Sequence, residues 1–424
     1  MSDITGRIAS LSPEKRALLE KRLLRKNSSP IKESGIQRRG TSGPCPLSFS
    51  QERLWLYNQI EPDVPNIIPF ILRIKGQVNL NALKKSLDAI VARHESLRTT
   101  FSSEAGEPFQ VIHPVMSIGM TVIDLGVLPE AEREAESQRL IDAELKRQFD
   151  LSADFMLRAT LIRLSDLENI LILIMHHIAS DGWSTGIFFR ELSLLYRAFE
   201  EHRDSALPDL PVQYADFACW QRTWMKGEVL EKQLSYWQTQ LYDIPAVLDL
   251  PTDRPRPANR SNQGASHSVI LSKRLIDRLR CISKQEGVTM FTLMSAAFKT
   301  LLYRYTNQGD ICLGTFVANR NRVEIENLIG FFVNTLVLRT DLSDNPGFLE
   351  LLRREHHIVL GAFAHQDIPF EKLLEILHPG RDISHTPLFQ VALSFENMPK
   401  VPLDLPNLSF EFIAADPSVS LYDM

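Results

Sequence analysis

Cysteine is scarce in this chain of 424 residues, and the four present (Cys45, Cys219, Cys281 and Cys312) lie far apart with no C-x-x-C pair. They are too few for a disulfide scaffold and too scattered for a zinc ribbon. Long apolar runs are missing as well. The longest that matters, Ile170–Met175, has six residues, where a bilayer-spanning helix needs about 20. Neither sign of charge dominates: 47 Lys and Arg against 52 Asp and Glu leave a net charge of −5. Without a basic excess or a polybasic block, no nucleic-acid or anionic-membrane partner is expected. The start, Met1-Ser2-Asp3-Ile4-Thr5, lacks the basic residues and apolar run of a secretory signal. A reducing cytoplasm is the expected setting. What remains is an ordinary globular mix, 44% hydrophobic and 23% charged, at a length that suggests two or three domains.

The first element is short. Ser12-Pro13-Glu14 reads as an N-cap, a proline at the first helical position and an acid in the first turn. Leu18, Leu19, Leu23 and Leu24 follow as a stripe among Lys and Arg, and residues 1–27 are read as a helical arm or a docking element for another protein. Residues 28–45 are rich in Gly, Pro and Ser and read as a linker. The globular body then begins near Pro46. Leu80–His94 has the apolar spacing of a helix, Met156–Leu164 alternates like a strand, and Asn169–Met175 is apolar on both faces, as a strand deep in a sheet would be. A helix is expected over about Thr185–Phe199. Three prolines within residues 251–257 exclude regular structure there and mark a connection. Beyond it the layout repeats: a strand at Ser266–Leu271, helices at Arg274–Glu286 and Thr289–Tyr305, strands at Ile311–Thr315 and Phe332–Thr340, and a helix near Pro346–Ala364. The whole reads as two α/β halves, 46–220 and 221–424.

Chemistry concentrates in Met175-His176-His177-Ile178-Ala179-Ser180-Asp181-Gly182-Trp183-Ser184. A buried strand stops at two histidines, with an acid and a glycine close behind. Histidine is the side chain suited to take a proton near neutral pH. Asp181 could orient or balance it, and Gly182 lets another chain approach the backbone. Adjacent residues on a strand point to opposite faces, so only one imidazole can meet a given ligand, which argues against a metal site. His356-His357 imitates the pair inside an amphipathic helix, with no Asp-Gly after it.

This segment resembles the His-His-x-x-x-Asp-Gly signature of condensation domains of nonribosomal peptide synthetases. Further segments resemble that family in the family's order: Leu47–Trp55, Arg93–Phe101, Tyr214–Trp220, Ile329–Thr335, His365–Glu371 and Arg381–Gln390. One departure is Ser384-His385-Thr386-Pro387, where the family often has Asn before the Pro. The resemblance covers about residues 46–424. It implies two lobes, each similar to chloramphenicol acetyltransferase with mixed sheets and flanking helices, in a V-shaped pseudo-dimer with a central tunnel. Its partners would be an upstream donor and a downstream acceptor carrier protein, whose phosphopantetheine arms bring the substrates. No cofactor would be bound intrinsically. An adjacent adenylation domain is implied too, since the chain ends in a strand-like stretch, and an upstream synthetase subunit could dock on the N-terminal helix.

By the same resemblance, His177 stands at the reacting amine as base or positioner, while His176 packs behind it. Asp181 is read as a structural salt bridge with Arg98 as its candidate partner, since an arginine can hold a carboxylate bidentately. Gly182 leaves room for the pantetheine arm, Ser184 supports the motif, and Asn334 offers either a polar contact from the second half or a strand-end anchor. Tyr214, Asp216 and Trp220 are read as packing and loop-pinning groups. Arg93–Glu95 and Gly330–Arg339 resemble the type that joins two L-residues, with a starter type as the variant. Two alternatives stand beside this reading: a free-standing coenzyme A-dependent acyltransferase, and a catalytically silent docking platform for carrier proteins.

Overall fold

Ser48 opens the first helix among the described residues through a reciprocal pair of bonds: its Oγ accepts from the Gln51 amide, and the Gln51 side chain accepts from the Ser48 amide, 3.1 Å each. The computed structural model describes residues 35–40, 43–204, 207–254, 263–377, 385–396, 403–414, 420 and 422–424. The chain divides into two compact units, residues 1–37 and 38–424. Every element named below belongs to the second unit, and the expected helix after Ser12 lies outside the described residues. In order the elements are β1 (Cys45–Pro46), α1 (Phe49–Ile60), β2 (Ile67–Lys75), α2 (Leu80–Arg93), β3 (Thr99–Glu104), β4 (Glu107–Ile112), β5 (Thr121–Asp124), α3 (Glu130–Lys146), β6 (Leu157–Ser165), β7 (Glu168–His176) and α4 (Gly182–Glu200). They continue with α5 (Tyr214–Trp224), α6 (Gly227–Gln240), α7 (Lys273–Glu286), α8 (Met290–Thr306), β8 (Asp310–Val317), β9 (Asn334–Asp341), α9 (Phe348–Ala364), α10 (Phe370–Leu377) and β10 (Ser409–Ile413).

The doubly apolar strand expected from the sequence is β7, in the middle of a mixed five-stranded sheet ordered β10-β2-β7-β6-β5. It runs antiparallel to β2 and β6, and β5 adds parallel to β6. Side chains alternate across a strand, so β7 feeds two cores. Leu171, Leu173 and Met175 pack with Leu83, Leu87 and Ile90 of α2 and with Leu192 and Leu195 of α4. Ile170, Ile172 and Ile174 pack on the other side with Leu54, Ile141 and Phe149. All six β7 side chains are at most 1% exposed, and burying each is worth about 1.5–3 kcal/mol.

In the second half β8 and β9 pair antiparallel from Asp310↔Asp341 to Val317↔Asn334. A further segment bonds along β8, with the Gly314 amide donating to Val391 and the Leu393 amide to Gly314, 2.9 and 2.8 Å. Thr289 caps α8 as expected, accepting from the Thr292 amide at 3.1 Å. Between α8, β9 and α9 lies a closed ionic cluster. Lys299 Nζ donates to Glu355 at 2.8 Å and to Thr340 Oγ1 at 2.7 Å, and Ser295 and Thr340 donate to the same carboxylate at 2.6 Å.

Two expectations are corrected. Residues 266–271 form no ladder among the described residues, and Val269 and Ile270 are 70% and 95% exposed. Their alternation favours an extended backbone but supplies no partner edge. The boundary at 220/221 also does not hold to the end of the chain. Strand β10 returns to the first half, pairing with β2 from Ser409↔Lys75 to Ile413↔Ile71, and Leu403 and Leu405 join the α2/α4 core.

The Lys299–Glu355 pair is fully buried on both sides, so either partner alone would leave an uncompensated charge. Lys299→Met and Glu355→Leu are each expected to cost about 3–5 kcal/mol. The double replacement should cost clearly less than their sum, as read by urea unfolding; strict additivity would show that the charges do not depend on each other.

Candidate functional site

The end of β7 places the two histidines differently. His176 continues the Ile170–Ile174 face, so its ring turns inward, 2% exposed, edge-on to Phe149 at 5.5 Å. Its Nδ1 accepts from the Ile178 amide at 3.1 Å, which starts the 3₁₀ turn His177–Ala179. Burial pulls its pKa down to about 3, with His177 and Arg158 adding to the effect. His176 is thus a neutral structural group behind its neighbour. His177 leaves the ladder after one last backbone bond to Asn66, 2.8 Å, and remains partly exposed. Its Nδ1 is buried with no hydrogen-bond partner among the described residues. Its ring meets Phe331 of the second half at 6.0 Å. Burial lowers the pKa of His177 and the charge of Asp181 opposes this, leaving it below the ordinary histidine value. A neutral, partly accessible imidazole can accept a proton or a hydrogen bond.

Asp181 is the N-cap of α4, and its hydrogen bonds go elsewhere than to His177. Oδ1 accepts from the Ser184 amide at 2.8 Å and lies 2.7 Å from Ser184 Oγ; Oδ2 accepts from the Phe332 amide at 3.0 Å. Its cationic partner is Arg320, whose Nη2 donates to Oδ1 at 3.1 Å. Both groups are nearly inaccessible, and burial lowers the pKa of Arg320. The expectation that Arg98 fills this place is corrected. Arg98 donates to the His113 carbonyl and lies 3.7 Å from Glu95. Arg320 reaches the carboxylate because the second half passes directly over the start of α4. Its other nitrogen, Nη1, donates to the carbonyls of Ile325 and Leu328 at 2.8 and 2.7 Å, and its guanidinium lies 4.2 Å over the Phe332 ring.

Between Arg320 and β9, the residues Ile329–Phe332 form a crossing segment pinned to the first half. Ile329 bonds through its amide to His94 Nδ1 (3.2 Å) and through its carbonyl to Ser96 (2.7 Å). The Gly330 amide donates to Ser184 Oγ at 3.1 Å, and Tyr214 donates to the Phe331 carbonyl at 2.6 Å. A Cβ on Gly330 would fall 2.1 Å from the Tyr214 ring, so only glycine fits. Tyr214 thereby has the loop-pinning role expected of it. Asp216 caps α5 and pairs with Arg39 at 3.2 Å, while Trp220 stacks on Trp224 at 4.7 Å.

Gly182 is exposed and begins α4, and Ser184 is buried within the Asp181 cluster. Asn334 is an anchor: its Nδ2 donates to Gln366 and Ile368 carbonyls at 2.8 and 2.7 Å, and its Oδ1 accepts from the Phe370 amide at 3.1 Å. Its polar atoms therefore go to the turn before α10. His356 and His357 sit inside α9 as expected. Sequence reasoning missed Arg320 and His94. Two signals were available: Arg320 sits nine residues before the Ile329–Thr335 segment, and His94 stands inside a matched segment. Among the described residues, no three His, Cys, Asp or Glu side chains gather as metal ligands, and no helix is long and apolar enough to cross a membrane.

A fold of mixed sheets with flanking helices, carrying the His-His-x-x-x-Asp-Gly segment at a strand end, defines an acyltransferase-like class. The family model for the condensation domain matches residues 41–424, and the chain belongs to that family. A linear gramicidin synthase polypeptide of Brevibacillus parabrevis is 49% identical over 378 residues, covering 89% of this chain but 7% of that protein. Phosphinothricin tripeptide synthetase PhsC of Streptomyces viridochromogenes is 42% identical over 399 residues, 94% of this chain and 37% of its own. The chain thus spans a small part of these relatives. Among solved structures, the X-domain from teicoplanin biosynthesis has a TM-score of 0.81 at 29% identity, covering 92% of this chain and 86% of that one. The first condensation domain of the calcium-dependent antibiotic synthetase, at 21% identity and a TM-score of 0.68, covers 88% of this chain and 84% of its own and shares the fold.

Two outcomes follow from this geometry. Arg320→Met should cost about 3–5 kcal/mol, because it strands the Asp181 charge in a dry site. Arg320→Lys should recover only part, since an ammonium cannot span a carboxylate and two carbonyls at once. Chemical unfolding measures both, and wild-type stability of the Met variant would show that the pair holds nothing. The second outcome concerns His176. Its depressed pKa means that its contribution is complete above the unfolded value of about 6.5 and is lost as pH falls toward about 3. His176→Asn keeps an acceptor for the Ile178 amide without titrating. It should flatten the acid dependence of urea stability by up to about 1.4 kcal/mol per pH unit.

Proposed function

We propose that this chain forms amide bonds within a nonribosomal peptide synthetase, joining an acyl or peptidyl thioester on an upstream carrier protein to the amine of an aminoacyl thioester on a downstream one. The observation that carries this reading is the placement of His177: partly exposed at the end of a rigid strand, neutral through burial, and faced by Phe331 from the other half. Both substrates would arrive on phosphopantetheine arms through a passage between the halves. Gly182, exposed beside the site, would leave room for an arm.

An α-ammonium has a pKa near ~8, so the attacking amine must lose a proton. His177 accepts that proton or fixes the amine by a hydrogen bond. The amine adds to the carbonyl carbon, the tetrahedral species collapses, and the upstream pantetheine thiolate leaves and takes up a proton. His176, Asp181, Ser184 and Asn334 hold the frame and touch no reacting atom. A thioester is already activated, so alignment contributes most: about 7–11 kcal/mol from effective molarity, against about 10²–10⁴-fold from a general base. We place the chain in the cytoplasm beside an adenylation domain, with two L-residues as the substrates it joins and residues 1–27 as the docking element for an upstream subunit. The alternative reading is a catalytically silent docking platform for carrier proteins, and one structure of the similar X-domain is a complex with OxyB.

The test is an assay with two loaded carrier proteins. The wild-type chain is expected to yield the dipeptidyl thioester on the downstream carrier, and His177→Ala to lower the rate by about 10²-fold or more. Equal rates would remove His177 from the mechanism, and no product from either would favour the platform.

A further inference from the structure

Among the groups that hold the crossing segment, His94 is the imidazole. Ile329 donates its amide hydrogen to His94 Nδ1 at 3.2 Å, and a backbone N–H cannot act as acceptor, so that nitrogen must be bare. The ring proton therefore sits on Nε2, 2.8 Å from Glu191 Oε2 of α4. Arg93 of α2 donates to the other oxygen, Oε1, at 3.1 Å. Both His94 and Glu191 are 1% exposed. Neighbours thus fix the tautomer, and the arrangement works with a neutral ring only. A second proton on Nδ1 would face the Ile329 N–H, two donors head to head, with no room for water between them.

We propose that His94 is a positioning residue that fixes the crossing segment beside His177 and releases it when its ring is protonated, so that acid loosens the junction between the two halves. Phe331, two residues beyond Ile329, is the ring that meets His177 at 6.0 Å. Movement of Ile329 is therefore transmitted to the proposed reaction centre. The consequence for rate rests on the role given to His177; the structural device does not.

The charged groups facing His94 are Glu191 from α4, Arg93 from α2 and Arg320 from the second half. Burial lowers its pKa; Glu191 pulls it back, while Arg93 and Arg320 reinforce the lowering, and the net direction is down. Burial raises the pKa of Glu191, but His94 and Arg93 outweigh it, so the carboxylate stays charged. With the folded value depressed, the clamp is complete above the ordinary histidine range and is lost as pH falls through the folded pKa. Ser96 holds the Ile329 carbonyl at 2.7 Å without titrating, so the opening is local rather than global.

Amide hydrogen exchange at Ile329–Phe332 in the full chain, corrected for intrinsic rates between pH 5 and 8, tests this. Wild-type protection should fall with acid, by up to about tenfold per pH unit. His94→Asn places an oxygen where Nδ1 was and cannot charge, so its protection should lack that acid loss. His94→Gln keeps the contact to Glu191 but offers Ile329 no acceptor, so protection should be low throughout. The same acid dependence in wild type and His94→Asn would overturn the proposal. If the Asn variant does not fold, Glu191→Gln decides instead: without the carboxylate charge, opening should move to more acidic pH, and an unmoved profile would overturn it. In the two-carrier assay His94→Gln should lower kcat more than it raises KM. A rate indifferent to His177→Ala would refute the functional reading while leaving the exchange result standing.

Discussion

The carboxylate of Asp181 and the guanidinium of Arg320 come from opposite halves of the chain, and the site depends on their meeting in a place with almost no water. Taking both charges out of water is expensive, and their attraction alone does not ensure a net gain. Here each charge is answered by several further hydrogen bonds: the carboxylate holds the Ser184 and Phe332 amides, and the guanidinium holds two carbonyls of its own loop. Such a pair fixes register more than it adds stability. Any other crossing of the second half over α4 would leave two buried charges alone, so competing arrangements are penalised.

That single register explains why the other contacts can be so tight. Once Arg320 is seated, Ile329, Gly330, Phe331 and Phe332 follow in an order that gives each residue at least one backbone bond to a side chain of the first half. Gly330 then lies against Tyr214 with no space for a side chain. The first half contributes rigidity from β7, whose six apolar residues are locked between two cores. The end of that strand cannot shift without moving both. His177 is therefore placed by the sheet from one side and faced by the crossing segment from the other.

How legible this was in the sequence depended on whether a feature is local. β7 could be read because a strand buried on both faces is apolar without interruption, and α2, α4, α7, α8 and α9 because their apolar spacing follows the helical period. The inward turn of His176 follows from alternation once the strand is placed. Pairings across long separations were not legible. Nothing near Asp181 indicates that its arginine lies 139 residues away rather than at Arg98. The return of β10 to the first sheet is equally hidden, since a strand's own residues do not name its partner. Residues 266–271 failed in the opposite sense: the local pattern of a strand is there, and the ladder is absent among the described residues. Matched segments such as Arg93–Phe101 pointed to the right neighbourhood without saying which atom does what.

On the proposed reading, these constraints also rank the contributions to rate. A general base worth about 10²–10⁴-fold corresponds to about 3–5 kcal/mol of barrier, whereas alignment of two tethered thioesters can supply about 7–11 kcal/mol. The alignment term requires that the two halves keep one relative placement at the point where the substrates meet. Asp181, Arg320, His94, Ser96 and Tyr214 provide that placement without touching a reacting atom. Under that proposal the imidazole of His177 would act within a geometry already set, and the larger share of the rate would come from the groups that hold the two halves in one placement.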